Sequence, residues 1–514
     1  MTTPATKPQS PAQPAPHIVF PSPPQATISR IYTVTVNGAP VAVEHFEDVH
    51  LARFAMRGPC NVEIAVKPSI GHRNLKYINR YNIRPLHAAI ASSSELNTLR
   101  LTLDTPRQLV IDVNAYERLF LFADPADDTA PQPGQPGVIN LADFAHDATG
   151  ATLQTEKIHA AIAAVPKAGT LFVPPGLYLT GAVTLKSNMT LYLAGGAVLK
   201  GSPDPAHYPP DTNSWHWAAQ YFVGAPGAEN LRIAGHGVLD GNGSVLRAQQ
   251  CGPHLLVLRD CKNVTVENIS VRDPAAWCVH PINCDRATIR NVKSVCNRDV
   301  LNTDGFDITS CRDTVVENSF QYCSDDGAVI KTANGIAAKN ITIRGNVLLT
   351  KKSALKVGTE TEGDVENVTF IDNDVIECDR GMTLSCEDGH AIRNTQYINN
   401  RFEMPYLDAR RRLIDFYTWN RKGGGRIENT LIKDCVAHQK WPRPSTLFAC
   451  SGPIDGVRFE NFTLAGKVCQ TLKDADILVE VLPCNDARRA TVYNIAFNPA
   501  GGLQTPTLAL DGWQ

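Results

Sequence analysis

Two adjacent aspartates, Asp325 and Asp326, stand in the strand-like stretch QYCSDDGAVIK at residues 321–331. On a regular strand, neighbouring side chains point to opposite faces, and burying a carboxylate without a partner is costly. A third aspartate, Asp304 in NTDGFD, precedes them by 21 and 22 residues. Either SDDG is an ordinary polar turn, or the three carboxyl groups share one site.

A cluster of carboxyl groups has the chemistry that glycosidic bond cleavage needs. One group, protonated, donates its proton to the leaving oxygen, and a second, ionised group activates water or attacks the sugar. Like charges held close together raise the pKa of one member into the range of a general acid. If the fold brings Asp304, Asp325 and Asp326 together, they are the predicted catalytic residues.

A sequence repeat predicts how these aspartates meet. Segments such as NVTVENI, NITIRGN and NVTFIDN begin 23 and then 27 residues apart, at Asn263, Arg286, Asp313, Asn340, Asn367 and Asn394. A β-rich repeat of this length is typical of a solenoid, whereas leucine-rich repeats need a leucine frame and propeller blades are longer. We therefore predict an all-β fold, a right-handed parallel β-helix. Groups on successive coils then stack about 4.8 Å apart.

The other parts of the chain differ in composition. Short alternating strands such as RIYTVTV and RLFLFAD, punctuated by Gly, Pro and Asn, predict a β-sandwich. The helical periodicity of EKIHAAIAAV at 156–165 predicts a cap over the first open coil. The predicted regions are a disordered Pro/Ala-rich tail (1–26), the β-sandwich (27–125), a Pro/Gly-rich linker (126–140) and the catalytic β-helix (141–514).

Charge and cysteine content argue against several kinds of partner. The 49 basic and 51 acidic residues give a net charge of −2, so we expect neither a nucleic-acid nor a membrane partner. The first residues lack the apolar core of a secretory signal. The protein is then cytoplasmic, or secreted or periplasmic with its signal removed. The fourteen cysteines include no CxxC pair, so we expect buried thiols and no metal or other cofactor.

The paired motifs NTDGFD and CSDDGAVIK resemble those of the polygalacturonase superfamily, glycoside hydrolase family 28. GHGVLDGNG at 235–243 and AAWCVHPINC at 275–284 also resemble that family, and the resemblance covers about 141–470. It implies a pectin-lyase-like β-helix and hydrolysis with inversion. Asp325 would be the general acid, and Asp304 with Asp326 would position and deprotonate the attacking water. Inversion leads us to expect about 6.5–9.5 Å between acid and base.

The sequence departs from the family one and two coils beyond the aspartate pair. Pectin-cleaving members carry Gly-His-Gly and then Arg-x-Lys, which binds the galacturonate carboxylate. Aligning the coils places Ser353 at the histidine and Thr383 and Ser385 at the two basic positions. Without a bidentate cation there, we expect an α-linked sugar that is neutral or differently decorated, and not plain polygalacturonate.

Six residues are candidates for substrate binding: Trp277, His280, Lys331, Lys356, Glu360 and Arg380. Trp277 is a candidate stacking platform through its apolar face. His280 either binds substrate or is an ordinary buried histidine, and Glu360 either binds hydroxyl groups or ends a coil. Trp215, Trp217 and Tyr417 are weaker candidates, at the entrance and further along the groove.

A β-sandwich in front of a β-helix also resembles glycoside hydrolase family 49, the dextranases and isopullulanase. That resemblance implies a neutral α-glucan substrate and again three aspartates. The alternatives are a polysaccharide lyase, a glycan-rearranging transferase, a polygalacturonase with altered carboxylate recognition, and a non-catalytic glycan-binding protein. The sequence does not determine the oligomeric state.

Overall fold

The computed structural model describes residues 15–67, 77–210, 221–482 and 490–498. The chain divides into two compact units after Thr129, with Pro23–Gln25 assigned to the second unit. No helix in the described residues is both long and apolar enough to span a membrane. The thirteen cysteines in these ranges are all free and buried, as the sequence predicts, and Cys484 lies outside them.

The first unit is a sandwich of two sheets. One sheet contains His17–Val19, Val43–Phe46, Val49–Met56, Tyr81–Arg84, Arg107–Val113 and Arg118–Pro125. The other contains Tyr32–Val36, Ala39–Val41, Cys60–Val66, Ser92–Glu95 and Thr98–Leu103. Strands such as Cys60–Val66 alternate buried and exposed side chains, so one face of each sheet packs into a shared apolar core.

The second unit is a right-handed parallel β-helix, which confirms the predicted fold. Its first sheet contains Val138–Asn140, Gly169–Val173, Met189–Leu193, Glu229–Gly235, Lys262–Glu267, Asp285–Arg290, Arg312–Glu317, Ala338–Arg344, Val365–Ile371, Ala391–Ile398, Arg426–Lys433, Ile454–Glu460, Val492–Tyr493 and Ala496–Asn498. Its second contains Thr149–Leu153, Gly176–Thr180, Ala197–Gly201, Val238–Asp240, Ser270–Arg272, Lys293–Val295, Phe320–Cys323, Val347–Thr350, Asp374–Cys378, Arg401–Pro405, Val436–Ala437, Thr463–Leu464 and Lys467–Val468.

The third sheet carries the candidate site and is called the groove sheet here. Its strands are Val183–Thr184, Tyr221–Pro226, His254–Arg259, Val279–Ile282, Phe306–Thr309, Ala328–Thr332, Ser353–Thr361, Arg380–Asp388, Arg412–Gly423, Ser445–Ala449 and Ile477–Val481. Phe306, Ala328, Leu355 and Met382 occupy one register position on successive coils and point into the core. The residues that alternate with these four along each strand therefore face outward.

Short helices complete the description. The α-helices are Thr155–Ala164, which confirms the predicted helix, and Gly243–Ala248, and the 3₁₀ helices are Leu86–Ala88, Leu141–Asp143 and Pro205–His207. Ile158, Ala161 and Ile162 of the longer α-helix are buried in the core of the β-helix. This helix supplies apolar contacts that an open first coil would lack.

The repeated residue at the start of each predicted segment has a positive φ, for example 57° at Asn340, 58° at Asn367 and 55° at Asn394. Asparagine tolerates this left-handed conformation better than most residues. The Asn367 amide donates to the Asn340 side chain, and the Asn394 amide donates to Asn367, each at 3.0 Å. The 27-residue interval is therefore one coil.

Two predicted boundaries are wrong. His17–Val19, within the predicted disordered tail, forms a strand that pairs with Val49–Met56. Val138–Asn140, within the predicted linker, pairs with Gly169–Val173 as part of the β-helix. Both segments are short and flanked by proline or glycine, so their local composition does not show the pairing that orders them.

Candidate active site

The three aspartates lie at one end of adjacent strands of the groove sheet. Asp304 precedes the strand Phe306–Thr309, and Asp325 and Asp326 precede Ala328–Thr332. The Gly305 N–H donates to the Asp326 carbonyl oxygen at 2.9 Å and continues the pairing of these strands. One carboxyl oxygen of each aspartate lies within 4.8 Å of the others. The coil register thus brings together the three residues that the sequence predicts as a set.

The doubled aspartate sits in a bend and not on a regular strand. Asp325 is half-buried, whereas Asp326 is buried. The Asp326 N–H donates to Oδ1 of Asp325 at 3.0 Å. The Ser324 hydroxyl, which is 2.8 Å from the Thr303 hydroxyl, ties this bend to the preceding coil. Because strand alternation stops at the bend, both carboxyl groups can turn toward Asp304.

Two cations and a backbone N–H surround Asp326. Lys356 Nζ donates to Oδ2 at 2.6 Å, and the Ser353 N–H donates to Oδ1 at 3.1 Å. Arg380 Nη2 lies 4.0 Å from Oδ1. The pairing of Ser353 with Arg380 in adjacent strands places the guanidinium one coil beyond. The site therefore contains fixed positive charge beside a buried carboxylate.

Lys331 joins the remaining candidates on the other side of the cluster. Its Nζ lies 3.0 Å from Asp307, 3.4 Å from Glu360 and 3.7 Å from Asp304. It also lies 3.6 Å from the centre of the Trp277 ring. The sequence interpretation missed Asp307, although its outward position on a strand that begins next to Asp304 was a usable signal.

Two of the predicted binding residues do not face a substrate. Trp277 is only 5% exposed, and Lys331 covers a ring face, so the prediction of a stacking platform is wrong. His280 is buried, with Nδ1 2.9 Å from Nδ1 of His254 and Nε2 3.0 Å from the Thr309 hydroxyl. The prediction that His280 binds substrate is also wrong, because both ring nitrogens are engaged inside the protein.

The three carboxyl groups have different affinities for a proton. Burial and the nearby Asp326 charge raise the pKa of Asp325. Burial, with Asp307 and then Asp325, raises the pKa of Asp304 well above its usual range. Burial acts in the same direction on Asp326, but Lys356, Arg380 and Lys331 outweigh it and lower the pKa of Asp326. The cluster thus holds one ionised carboxylate beside two groups that retain protons more readily.

The predicted separation of acid and base is not observed. The closest oxygens of the three aspartates lie within 4.8 Å, which is shorter than the about 6.5–9.5 Å expected between carboxyl groups for inversion. The expectation of a wide gap is wrong for these oxygens.

The two aligned positions hold Thr383 and Ser385, as the sequence indicates, but Arg380 supplies a cation nearby in the groove. Thr383 pairs with Lys356, and Ser385 lies two residues further along the same strand. The arginine that reaches the aspartates is Arg380, at the start of that strand, where its side chain is 11% exposed. Among the described residues this guanidinium donates no hydrogen bond. Its contacts are ion-pair distances of 3.5 Å to Asp379 and 4.0 Å to Asp326.

The groove sheet continues into a second concave region. This cavity has a volume of about 420 Å³ and is lined by Glu387, Arg410, Arg412, Asp415, Tyr417, Trp419, Phe448 and Glu480. Trp419 is 45% exposed and stacks against Phe448, with ring centres 6.1 Å apart. Tyr417 lies here as a weaker sequence candidate, whereas Trp215 and Trp217 fall outside the described residues.

Within the described ranges, two groups of side chains have the composition of a cation site. The first is the aspartate cluster, where lysines and an arginine already supply positive charge. The second is His45, His50 and Glu117 in the first unit.

Comparison with known proteins shows what the region around this site is similar to. Residues 161–404 match the family model "Glycosyl hydrolases family 28". A probable polygalacturonase of Vitis vinifera is 25% identical over 276 residues, which are 48% of this chain and 56% of that protein. An exo-poly-alpha-D-galacturonosidase of Dickeya chrysanthemi is 38% identical over 120 residues, or 21% and 20% of the two chains. The chain spans about half the length, or less, of these curated relatives.

Solved structures show the same fold. An exopolygalacturonase from Thermotoga maritima has a TM-score of 0.58 and 22% identity, covering 74% of this chain and 95% of that chain. Dex49A from Penicillium minioluteum has a TM-score of 0.62 and 14% identity, covering 88% and 92%. The family match includes both strands that carry the aspartates. Residues 161–404 are therefore similar to glycoside hydrolase family 28, and they lie on the parallel β-helix.

Proposed function

We propose that this protein is a glycoside hydrolase that cleaves an α-linked, pectin-like polysaccharide with inversion. The observation that carries this proposal is the cluster of three carboxyl groups within 4.8 Å whose surroundings drive their pKa values apart. Two titratable groups whose surroundings drive their pKa values apart are the usual basis of acid and base roles in one site.

Asp325 is the proposed general acid. Its carboxyl group is half-buried and its pKa is raised, so it can remain protonated where a solvent-exposed aspartate would be ionised. Only Oδ1 has a hydrogen-bond partner among the described residues. Oδ2 is then available to donate its proton to the oxygen of the leaving sugar.

Asp326 is the proposed base, and Asp304 positions the water. Asp326 stays ionised through Lys356, Arg380 and Lys331, and accepts a proton from water as the water oxygen bonds to the anomeric carbon. The bond from that carbon to the leaving oxygen breaks, and the leaving oxygen receives the proton of Asp325. Because the two protons move on opposite sides of one displacement, the anomeric configuration inverts.

Arg380 supports a substrate that carries carboxylate groups. Its guanidinium borders the aspartates and has hydrogen-bonding capacity to spare among the described residues, and arginine is well suited to bind a carboxylate. The names of the two curated relatives also refer to galacturonate polymers. We therefore favour a uronate-bearing glycan over the neutral sugar expected from the sequence, which is the second candidate.

A substrate panel tests the proposal. The purified chain is incubated with polygalacturonate, methyl-esterified pectin and neutral α-glucans such as dextran, and the anomer released first is identified by NMR. We expect hydrolysis of a galacturonate-containing polymer with the inverted anomer. A retained anomer contradicts the mechanism, and an unsaturated sugar with ultraviolet absorbance shows a lyase. Cleavage of neutral glucans alone restores the neutral-substrate prediction.

A further inference from the structure

Three side chains of metal-binding type converge in the β-sandwich, and the proposed hydrolysis does not use them. They are His45, His50 and Glu117, and one nitrogen or oxygen atom of each lies within 4.8 Å of the other two. His45 Nε2 lies 2.9 Å from Oε2 of Glu117, and His50 Nε2 lies 3.1 Å from the same oxygen.

The backbone fixes this arrangement. His45 and His50 are directly opposite each other in the hairpin formed by Val43–Phe46 and Val49–Met56. Arg118–Pro125 runs parallel to Val49–Met56 and begins one residue after Glu117. The Tyr32 hydroxyl donates to the carbonyl oxygen of Glu117 at 2.7 Å. Three different segments are therefore held together by strand pairing before any ligand binds.

The spacing of the donor atoms suits a small metal ion. Zinc binds nitrogen and oxygen ligands at about 2.0–2.1 Å, so donors in a tetrahedron lie roughly 3.3 Å apart. The distances of 2.9 and 3.1 Å from the histidine nitrogens to the Glu117 oxygen approach that value. All three donor atoms lie within 4.8 Å of one another, so side-chain adjustments can bring them around one ion.

His50 is a buried side chain that contacts Glu117 at ion-pair distance but has no well-formed hydrogen bond. It is 1% exposed, and neither ring nitrogen makes a hydrogen bond with good geometry. Buried nitrogens without a hydrogen bond are unfavourable, and an ion on Nε2 would satisfy one of them.

The charge around Glu117 also favours a bound cation. Within the part of the chain that the structure describes, its carboxylate has only the two histidines within ion-pair distance, and neither lysine nor arginine. The side chains of His45 and Glu117 are 34% and 43% exposed, so an ion and one water molecule can reach the open side.

We propose that His45, His50 and Glu117 bind one divalent transition-metal ion of the zinc type through His45 Nε2, His50 Nε2 and Glu117 Oε2. Two imidazoles and one carboxylate form a ligand set that zinc, cobalt and nickel accept, whereas magnesium and calcium prefer oxygen ligands alone. This departs from the expectation of no metal, which considered cysteine spacing and not histidines that meet across a hairpin.

Cobalt binding tests the site directly. The full chain is stripped with a chelator, dialysed and titrated with Co²⁺ alone, while the visible absorbance of tetrahedral cobalt is recorded. Zinc content after loading is measured by mass spectrometry. We expect one ion per chain, and a loss of at least tenfold in affinity for Glu117→Gln and His45→Gln. These two residues are partly exposed, so the variants should fold even where His50→Gln does not.

Asp325→Asn is the matched control, since it alters the other cluster that could hold an ion. It should keep one equivalent of cobalt and the same absorbance. The proposal is overturned if the wild-type chain binds no stoichiometric cobalt, or if both sandwich variants bind as tightly as wild type. It is also overturned if binding disappears in Asp325→Asn and persists in Glu117→Gln, because the ion then belongs to the aspartate cluster.

Discussion

The aspartate cluster and the histidine–glutamate cluster each bring three ionisable side chains within 4.8 Å, but they differ in the source of positive charge. Around Asp304, Asp325 and Asp326, the chain itself supplies Lys331, Lys356 and Arg380. Around Glu117, among the described residues, only the imidazoles of His45 and His50 stand within ion-pair distance.

This difference determines what each cluster is suited to do. Fixed cations next to one of several carboxyl groups lower the pKa of that group and leave its neighbours protonated, which separates an acid from a base. Two imidazoles next to a carboxylate offer nitrogen and oxygen ligand atoms and one negative charge, which favours a bound cation. The composition of the surroundings, and not the number of ligand atoms, distinguishes the two.

Removing the proposed acid should produce the largest effect. We expect Asp325→Asn to lower the hydrolysis rate by at least about 10²–10⁴-fold, because general acid catalysis contributes that much and a carboxamide cannot replace it. Initial rates on the best substrate of the panel measure the loss, and circular dichroism checks the fold. Asp299→Asn, whose side chain is 95% exposed, is the control with near-normal activity. Full activity in Asp325→Asn would remove the aspartate cluster from catalysis.

Removing the fixed cation Lys356 tests whether its charge keeps Asp326 ionised. In Lys356→Met, Asp326 loses its 2.6 Å partner, and its pKa rises. Since Asp326 acts in the ionised form, the acidic limb of the pH–rate profile moves to higher pH, and the rate at a fixed pH there falls about tenfold per pKa unit. Loss of this partner from a buried carboxylate also destabilises the fold, by up to about 3–5 kcal/mol, measurable by denaturant unfolding. Lys339→Met, at an exposed pair with Glu366, should leave the profile in place, and an unshifted profile in Lys356→Met contradicts the role of this lysine.

Substitution of Arg380 separates recognition of the substrate carboxylate from the hydrolysis step. We expect Arg380→Gln to lower kcat/KM on a uronate polymer by about 10–100-fold, the value of a hydrogen bond to a charged group, and to affect a methyl-esterified substrate much less. Arg401→Gln is the matched control, because Arg401 pairs with Asp374 on the second sheet. Equal losses on both substrates would show that Arg380 supports Asp326 and does not select the sugar.

Metal removal should have the smallest effect on hydrolysis. If the aspartate cluster carries its own cations, dialysis against a chelator leaves the rate unchanged while it empties the histidine–glutamate cluster. Rates and zinc content are measured on the same sample before and after dialysis. A rate that falls with chelation and recovers with added metal would show that the two clusters do not differ as described.

The clustering of the three aspartates could be predicted because repeat length and coil register are properties of the sequence. Asp304 and Asp326 are one coil apart, and a parallel β-helix stacks such positions at the strand spacing. The interval between Asn340, Asn367 and Asn394 is set by a backbone conformation that asparagine favours. Local preferences and the long-range fold agree in these coils, so the prediction did not require coordinates.

Other features depended on side chains that cross between segments. Arg380 reaches Asp326 from the start of its strand, whereas an alignment of the repeat placed Thr383 and Ser385 at the substrate. Lys331 covers Trp277, which turned a predicted sugar platform into an internal cation–π contact. The position along a strand fixes the face on which a residue lies, but not how far a long side chain extends.

The sequence by itself determined the β-helix, the coil length and the three aspartates that share a site, because each follows from a short repeat acting between neighbouring coils. Only the tertiary structure decided which aspartate is ionised, since that depends on burial and on Lys356, Arg380 and Lys331, supplied by three strands of the groove sheet. It also decided that His45 and His50 meet Glu117, which is 67 residues beyond His50 in the chain. Electrostatic energy depends on distance in space, and the sequence gives distance along the chain.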